Sequence, residues 1–437
     1  MTARRFIQIL FASAAAFQGS QAQTSPGAPL TVGDAVALVL SRNPALVESE
    51  HFIDASRARV EQSRSGYLPG VEAGASYVFL APVSVFNLPG ESINVFPNNN
   101  YDGHIAARQT IYDFQKTSSQ VGLAGSRVTL AEDSRDAVKR DLGVQAAETF
   151  YAILFLRQSV EVQDDQIRTL QEHLAITRRK TEAGTATQLD ELTTQVRVAE
   201  AQTIKIRLES SLRSAEIALR KLAALPPDTP LTLRGEFTPA VLPSGKDSLL
   251  KTALAERIEA RSADDAIVSA RALQRAAATN DAPSLNAALI YGFKNGYIPN
   301  IDVMRGNITA AVDFRVPIFD GNRTHGLEDE AAAILRAAES RKQEVALLIQ
   351  AELDQAISEL TAANDRVSVS ETNIRQADLA VKNGRLRYDA GSISNLDLLD
   401  SETDAVRARL TNLQARYDVV IATIRLRRAT GYPVAGP

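Results

Sequence analysis

Residues 387–400 read RYDAGSISNLDLLD, and residues 180–193 read KTEAGTATQLDELT. The two stretches share an Ala-Gly pair followed by a Leu-Asp pair, each separated by 207 positions. The same offset relates Arg108 to Arg315 without a gap in between. A spacing that holds over such a distance indicates that the chain contains two copies of one structural unit.

The offset changes further upstream, where the first copy is longer. The matching residues there lie 214 positions apart: Pro69 with Pro283, Tyr77 with Tyr291, and Phe79 with Phe293. The first copy therefore carries seven extra residues between about positions 80 and 101. We predict a first structural repeat over residues 23–226, a connector over 227–247 and a second repeat over 248–437.

The composition favours long, thin helical packing over a large globular core. Aromatic residues make up 5% of the chain, and tryptophan and cysteine are absent. Without cysteine, neither a disulfide nor a lipid-bearing N-terminal cysteine is expected. A net charge of -4 provides no basic surface, so we expect no nucleic-acid partner.

The N-terminus has the features of a signal peptide. Two arginines precede an apolar stretch over residues 6–17, and the small residues Ser20 and Ala22 stand where a signal peptidase reads the chain. We therefore expect residues 1–22 to be removed during export. Downstream, no apolar run approaches the roughly 18 residues that a transmembrane helix needs.

Each copy contains one predicted β-hairpin. From Val71 to Leu80, apolar and aromatic residues alternate with small and polar ones, which is the period of a strand. A loop rich in proline and asparagine follows over residues 81–100, and a second strand is expected to end near Tyr112. We predict hairpins over about 71–112 and about 284–319.

Each hairpin is followed by two long helices joined by a glycine turn. Residues 114–183 and 321–390 lack proline, and a continuous helix of 70 residues would span about 105 Å. The helix that returns in the second copy carries a heptad row, which fits either a hairpin within the chain or a contact between subunits. The row comprises Leu399, Val406, Leu413 and Val420, accompanied by Leu410, Tyr417 and Ile424.

Four strands of about ten residues match the thickness of a bilayer, with an apolar face for lipid and a smaller, polar face inside. Open sheet edges in lipid would leave backbone groups unpaired, so a closed barrel needs more strands than one chain supplies. Two chains would give eight strands and three would give twelve. A pair of soluble hairpins that cap a coiled coil is the alternative.

The order of elements and the stretch over residues 387–400 resemble the TolC family of outer-membrane efflux channels. Val316-Pro317-Ile318 also resembles the family's junction between strand and helix. The resemblance implies a mainly α fold with a transmembrane β-barrel: a homotrimer forms one twelve-stranded barrel, continued by a long periplasmic coiled-coil tunnel. It also implies an outer-membrane location that extends into the periplasm.

The same resemblance implies an exit channel of a tripartite efflux or type I secretion system. Its partners would be a periplasmic adaptor, an inner-membrane pump of RND or ABC type, and outer-membrane lipid. Substrate would pass through without chemical change, so we expect no enzyme activity, no catalytic residue and no cofactor or metal. The four histidines lack metal-ligand spacing. The alternative is a periplasmic coiled-coil adaptor or scaffold without a pore.

By resemblance, Asp397 and Asp400 match acidic positions that face the pore at a closed tip. Their spacing of three residues places both on one helix face, near an N-terminus where the helix dipole also favours carboxylates. Threefold symmetry would make them two rings that attract cations. Asp190 matches Asp397 in the first repeat and would serve either the gate or a polar contact between helices.

Three residues near the end of the second long helix, Arg385, Arg387 and Tyr388, could hold the closed tip by contacting a neighbouring helix. Ile393 stands where some relatives place a basic residue for that purpose. Across the offset of 207, Asp400 matches Thr193 and Tyr388 matches Thr181, so the second repeat is expected to carry more of the gate.

The tip turns themselves form the surface that an adaptor would meet. We expect Gly184 and Gly391 to supply the turns between antiparallel helices, because glycine adopts positive φ readily. We expect Thr185 and Ser392 to cap the helices that follow.

Overall fold

The computed structural model describes residues 29–237 and 245–433, so the predicted signal peptide and residues 238–244 of the predicted connector lie outside the described residues. Within those ranges the chain is mainly helical, with one short 3-10 turn over Ser65–Tyr67. The helices are α1 (Val32–Arg42), α2 (Pro44–Arg64), α3 (Lys116–Glu182), α4 (Gln188–Leu222), α5 (Lys246–Glu256), α6 (Ile258–Ala278), α7 (Arg323–Asp389) and α8 (Asn395–Thr430). The strands are β1 (Gly70–Phe79), β2 (Val85–Leu88), β3 (Glu91–Asn94), β4 (Asn99–Tyr112), β5 (Ser284–Lys294) and β6 (Arg305–Arg315).

The two halves repeat the same elements at the offsets seen in the sequence. Helices α1 and α2 recur as α5 and α6 after 214 positions, with matching lengths of 11 and 21 residues. Helices α3 and α7 each contain 67 residues and begin 207 positions apart. The duplication read from the sequence is therefore a duplication of helices, and the change of offset falls within the first hairpin.

Strands from both halves form one antiparallel sheet in the order β1-β4-β5-β6. The register places most of the apolar residues of the four strands on one face, which is largely exposed, while Val78, Ala106, Ala288, Ile290 and Ala311 lie on the other face. This face comprises Val71, Ala73, Ala75, Tyr77, Phe79, Tyr101, Gly103, Ile105, Ala107, Leu285, Ala287, Leu289, Tyr291, Phe293, Gly306, Ile308, Ala310, Val312 and Phe314. The other face carries the charged residues of the strands, among them Glu72, Asp102, Lys294 and Arg305.

The sheet is open, because β1 and β6 each pair on one side within the described chain. Strand β6 ends at Arg315 and not at the predicted Phe319. Pro317 follows two residues later and has no N–H to donate, so the ladder cannot continue.

The segment predicted as a loop over residues 81–100 contains a small hairpin of its own, β2 with β3. The prediction of an irregular loop was wrong for these eight residues. Their strands are four residues long, too short to show the alternation that identified β1.

The heptad row of α8 packs within the chain. Leu399 is fully buried against Ile167 and Leu170 of α3. Further from the tip, Val420 packs in one core with Phe150 of α3. The row therefore joins the two repeats of one chain, which resolves the question that the sequence left open.

Helices α3 and α7 are each about 100 Å long. Their first halves pack against α2 and α6, and their second halves pack against α4 and α8. Within residues 29–237 and 245–433, no helix contains a segment apolar enough to cross a membrane.

A buried charged cluster holds α5, α6 and α7 together. The Arg257 side chain is 1% exposed and contacts Glu259 at 3.0 Å and Glu352 at 2.7 Å. Burial raises the pKa of Glu259, but hydrogen bonds and the charges of Arg257 and Arg140 outweigh it and lower the pKa from 4.5 to about 2. Glu259 is therefore ionised at neutral pH and ties the two repeats through Arg140 of α3, at 2.6 Å.

Candidate functional site

The far end of the helical hairpins consists of two tight turns with the same geometry. Gly184 has φ of +73° and Gly391 has φ of +70°, so each glycine takes the left-handed conformation that the sequence predicted. The N–H of Thr185 donates to the Lys180 carbonyl at 2.8 Å, and in the second turn the N–H of Ser392 donates to the Arg387 carbonyl at 2.8 Å. Each turn thereby satisfies carbonyl groups at the end of its long helix.

The expected caps at Thr185 and Ser392 are wrong. Helices α4 and α8 are capped two residues later, by Thr187 and Ser394. The physical reason is that the N–H of residues 185 and 392 bonds back to the preceding helix, so these residues still belong to the end of that helix. The hydroxyl of Thr185 also donates backwards, to the Lys180 carbonyl at 3.0 Å.

Asp190 and Asp397 complete capping boxes at the starts of α4 and α8. The Asp397 carboxylate accepts from the Ser394 hydroxyl at 2.7 Å and from the Ser394 N–H at 3.0 Å. These hydrogen bonds, with the nearby charge of Arg387, hold the pKa of Asp397 below its ordinary value. Asp397 is exposed and ionised, and Asp190 makes the same contacts with Thr187.

Asp400 lies one helical turn beyond Asp397, and its charge is compensated. Arg197 of α4 approaches the Asp400 carboxylate at 2.8 Å. This ion pair links the α3–α4 hairpin to the α7–α8 hairpin, so Asp400 contributes a contact between hairpins as well as a carboxylate.

Arg385 contacts α8, the neighbouring helix of its own hairpin. Its guanidinium donates to the Oε1 atom of Glu402 on α8 through Nε at 3.1 Å and Nη2 at 2.8 Å. The Glu402 side chain is 8% exposed, and its Oε2 atom has no hydrogen-bond partner among the described residues. Removing Arg385 would leave a buried carboxylate uncompensated, so this pair favours a fixed α7–α8 hairpin.

Tyr388 contacts α3, a helix of the other hairpin of the same chain. Its ring lies 5.4 Å from the ring of His173 on α3, and the Lys180 ammonium lies 4.3 Å from the ring centre. The Lys180 ammonium lies over the face of the Tyr388 ring, and the His173 ring is tilted against it by 57°.

Sequence reasoning missed the polar group beside Tyr388. Asn395, at the first turn of α8, is 4% exposed and its Oδ1 atom lies 2.6 Å from His173 Nε2. Its amide nitrogen donates to the Asp190 carbonyl at 3.1 Å and to the Thr194 hydroxyl at 3.2 Å. Because that amide nitrogen is the donor, the Oδ1 atom accepts, and His173 carries its proton on Nε2.

We call His173, Thr194, Tyr388 and Asn395 the cross-hairpin cluster. It joins α3, α4, α7 and α8 within one chain, immediately behind the tip turns. A signal was available in the sequence, since the buried row of α8 extends back from Leu399 by four residues to Asn395. A buried amide at such a position needs partners.

Other chemistry has little support at this end of the molecule. Across residues 29–237 and 245–433, no group of three or more histidine, aspartate or glutamate side chains could hold a metal ion. The tip instead combines exposed turns, helix-capping carboxylates and contacts between hairpins.

A duplicated chain that joins a sheet with one apolar face to long helical hairpins defines the class of two-repeat membrane channel proteins. The family model described as "Outer membrane efflux protein" matches residues 35–225 and 249–432. The chain therefore belongs to the outer membrane efflux protein family, which confirms the resemblance seen in the sequence.

Individual relatives cover most of the chain. Protein CyaE of Bordetella pertussis is 23% identical over 413 residues, which cover 93% of this chain and 84% of CyaE. The alkaline protease secretion protein AprF of Pseudomonas aeruginosa is 24% identical over 350 residues, covering 76% of this chain and 71% of AprF. The Campylobacter jejuni CmeC outer membrane channel superposes with a TM-score of 0.78 at 15% identity, covering 93% and 87% of the two chains.

Family membership places the protein in the outer membrane, with its helices in the periplasm, as an exit channel for efflux or secretion. It is a transport protein and not an enzyme. Its relatives belong to systems of several components, which implies an adaptor and a pump as partners.

Proposed function

We propose that three copies of this chain form one exit channel, which receives substrate from a periplasmic adaptor and an inner-membrane pump of RND or ABC type. The observation that carries the proposal is the open four-stranded sheet, which has one largely apolar face and two edges without a pairing strand among the described residues. The apolar face suits contact with lipid. The two edges require partners, because each unpaired backbone group in lipid costs roughly several kcal/mol.

Three copies satisfy both requirements. Strand β6 of one copy would pair with β1 of the next, which gives a closed barrel of twelve strands. Residues 23–226 and 248–437 then act as two repeats in each copy, joined by residues 227–247 and preceded by a removable signal peptide over residues 1–22. Six similar units surround one axis.

The helical hairpins would continue this barrel as a tunnel. Helices of about 100 Å reach far beyond the membrane. Two hairpins from each copy give six around the axis, which end at the glycine turns. The tunnel therefore opens or closes at the tip.

Asp397 is the residue that we assign to a carboxylate ring at this aperture. It is exposed and ionised, whereas Asp400 shares its charge with Arg197 and would contribute less in this conformation. Tyr388 and the cross-hairpin cluster hold the tip. Arg387 contributes a positive charge close to Asp397.

We assign adaptor contact to the tip turns. Gly184 and Thr185 in one turn, and Gly391 and Ser392 in the other, are all exposed. An adaptor that contacts both turns would find six similar binding sites around the axis.

Replacing Asp397 and Asp400 together by asparagine tests the aperture. Cation preference in planar bilayers should fall, because asparagine keeps the shape of the capping side chain and removes the charge. Asp404→Asn is the matched control, since Asp404 is an exposed carboxylate on the same helix that pairs with Arg407. An unchanged ion preference in the double variant would disprove the ring.

The alternative is a periplasmic adaptor or scaffold without a pore. Membrane fractionation and bilayer recording separate the two functions. The channel should be found with the outer membrane, require detergent and conduct ions after reconstitution. A protein that is released with the soluble periplasmic fraction and shows no conductance would be the scaffold.

A further inference from the structure

Helix α4 carries an exposed row with heptad spacing that no other helix among the described residues covers. The row faces away from α3, because the residues that α4 buries against α3, such as Val198 and Ala201, lie on the opposite side. Leu189, nearest the tip, is 72% exposed. The row comprises Leu189, Leu192, Val196, Ala199, Thr203 and Ile206.

Helix α7 carries a second row of the same kind. It faces away from α8, because Ala363 and Val367 are the side that α7 buries. Leu386, nearest the tip, is 64% exposed. This row comprises Val369, Thr372, Gln376, Leu379, Asn383 and Leu386.

The two rows match each other when the helices run antiparallel. Leu189 lies five residues after Gly184, and Leu386 lies five residues before Gly391, so both rows begin at the same distance from a tip turn. From there both proceed by steps of three, four, three, four and three residues away from the tip. These steps are the a and d positions of a coiled coil.

Matching the rows level by level pairs apolar residues at three of the six levels. Leu189 falls opposite Leu386, Val196 opposite Leu379, and Ile206 opposite Val369. The three levels between them carry polar residues: Leu192 with Asn383, Ala199 with Gln376, and Thr203 with Thr372. Beyond Ile206 and Val369, the next residues in both rows, Ser210 and Asp365, are polar, so the apolar pairs end at the same level on both helices.

The two rows lie on opposite sides of one copy, so they cannot contact each other within one chain. Helix α3 packs against both α4 and α8, and α7 packs against α8. The outward sides of α4 and α7 are thus the two flanks of one copy. Such a pair of unlike, complementary flanks joins identical subunits head to tail and closes into a ring.

We propose that α4 of one copy forms an antiparallel coiled coil with α7 of the next copy, in the register that sets Leu189 opposite Leu386. The proposal rests on the proposed trimer and goes beyond it, because it assigns the residues and the register by which subunits meet near the tip. Burying the rows removes exposed apolar area from water, which drives association. It also places the subunit contact beside the aperture.

Cysteine pairs test the register, since the chain contains no cysteine of its own. Leu189→Cys with Leu386→Cys, and Val196→Cys with Leu379→Cys, should form disulfides between copies. The same four substitutions recombined give the controls, Leu189→Cys with Leu379→Cys and Val196→Cys with Leu386→Cys. Each control is one heptad out of register, an axial displacement of about 10 Å, beyond the reach of a disulfide at about 7 Å between Cα atoms.

The assay is non-reducing gel electrophoresis after mild oxidation of each purified variant, with its oligomeric state measured separately in detergent. We expect covalent trimers from both in-register pairs and only background from both controls. Trimers that do not cross-link, or that cross-link equally in the controls, would overturn the register and leave the proposed function intact. A monomer in detergent for every variant and for the parent protein would instead refute the proposed trimer.

Discussion

Replacing Asn395 by alanine should release the tip. Asn395 is the one side chain of the cross-hairpin cluster that contacts two helices of the first repeat by hydrogen bonds. Its removal leaves His173, which is 8% exposed, with a buried N–H group and no acceptor from α8. The Asp190 carbonyl keeps the Thr194 hydroxyl as a donor at 2.8 Å, so the loss is concentrated at His173.

The size of the effect follows from that single orphaned group. A buried donor left without an acceptor costs about 1–3 kcal/mol. Taking about 2 kcal/mol, the equilibrium between joined and separated hairpins should shift by about 30-fold toward separation. A closed tip that opens rarely would then be open for a measurable fraction of the time.

Single-channel recording in planar bilayers measures this fraction directly. The matched control is Ser401→Ala, because the Ser401 hydroxyl donates only within α8, to the Asp397 carbonyl at 2.8 Å. The double variant His173→Phe with Asn395→Leu should recover much of the closed state, since replacing both partners by apolar groups removes the orphaned donor and keeps a ring against Tyr388.

The result that would refute this reasoning is specific. If Asn395→Ala opens no more often than the parent protein and Ser401→Ala, while remaining trimeric, the cross-hairpin cluster does not control the tip. If the double variant opens even more than the single one, the loss of contact and not the orphaned His173 donor explains the effect.

Three further outcomes follow from the contacts. Arg385→Ala should lower the free energy of unfolding by about 3–5 kcal/mol because Glu402 stays buried and uncompensated, and Arg385→Leu with Glu402→Leu should recover most of that loss. Circular dichroism in a denaturant series measures both variants. An unchanged free energy in Arg385→Ala, or no recovery in the double variant, would contradict the role of the pair. Glu259 has a folded pKa below its unfolded value, so its contribution of about 3 kcal/mol to the free energy of unfolding is present above pH 5 and lost as the pH falls toward 2. The melting temperature of Glu259→Gln should therefore depend less on pH over that window than the melting temperature of the parent protein. Equal slopes for the two proteins would contradict the assignment. Tyr388→Phe should close like the parent protein and Tyr388→Leu should open more often, since both contacts are made by the aromatic ring and not by the hydroxyl; equal opening of the two variants in bilayer recordings would argue against these contacts.

The sequence predicted the long helices well because their signal is long. A stretch without proline, a glycine turn and a repeated offset placed α3 and α7 within two residues of their observed ends. The alternation in β1 likewise predicted an apolar face that the register now shows to continue across all four strands.

The sequence pattern did not predict the contacts between residues that are distant along the chain. His173 and Asn395 are 222 positions apart, and nothing local in the chain pairs them. The sequence suggested a neighbouring helix as the partner of Arg385, but the choice of Glu402 on α8 depends on how α7 and α8 pack. The displaced caps at Thr187 and Ser394 depend on how the turns close.

Electron cryomicroscopy of the protein in lipid nanodiscs tests most directly whether three copies complete one barrel. We predict twelve strands around one axis, with β1 of each copy paired to β6 of the next. A particle with a single chain and an open four-stranded sheet, or a barrel with another number of strands, would contradict the account.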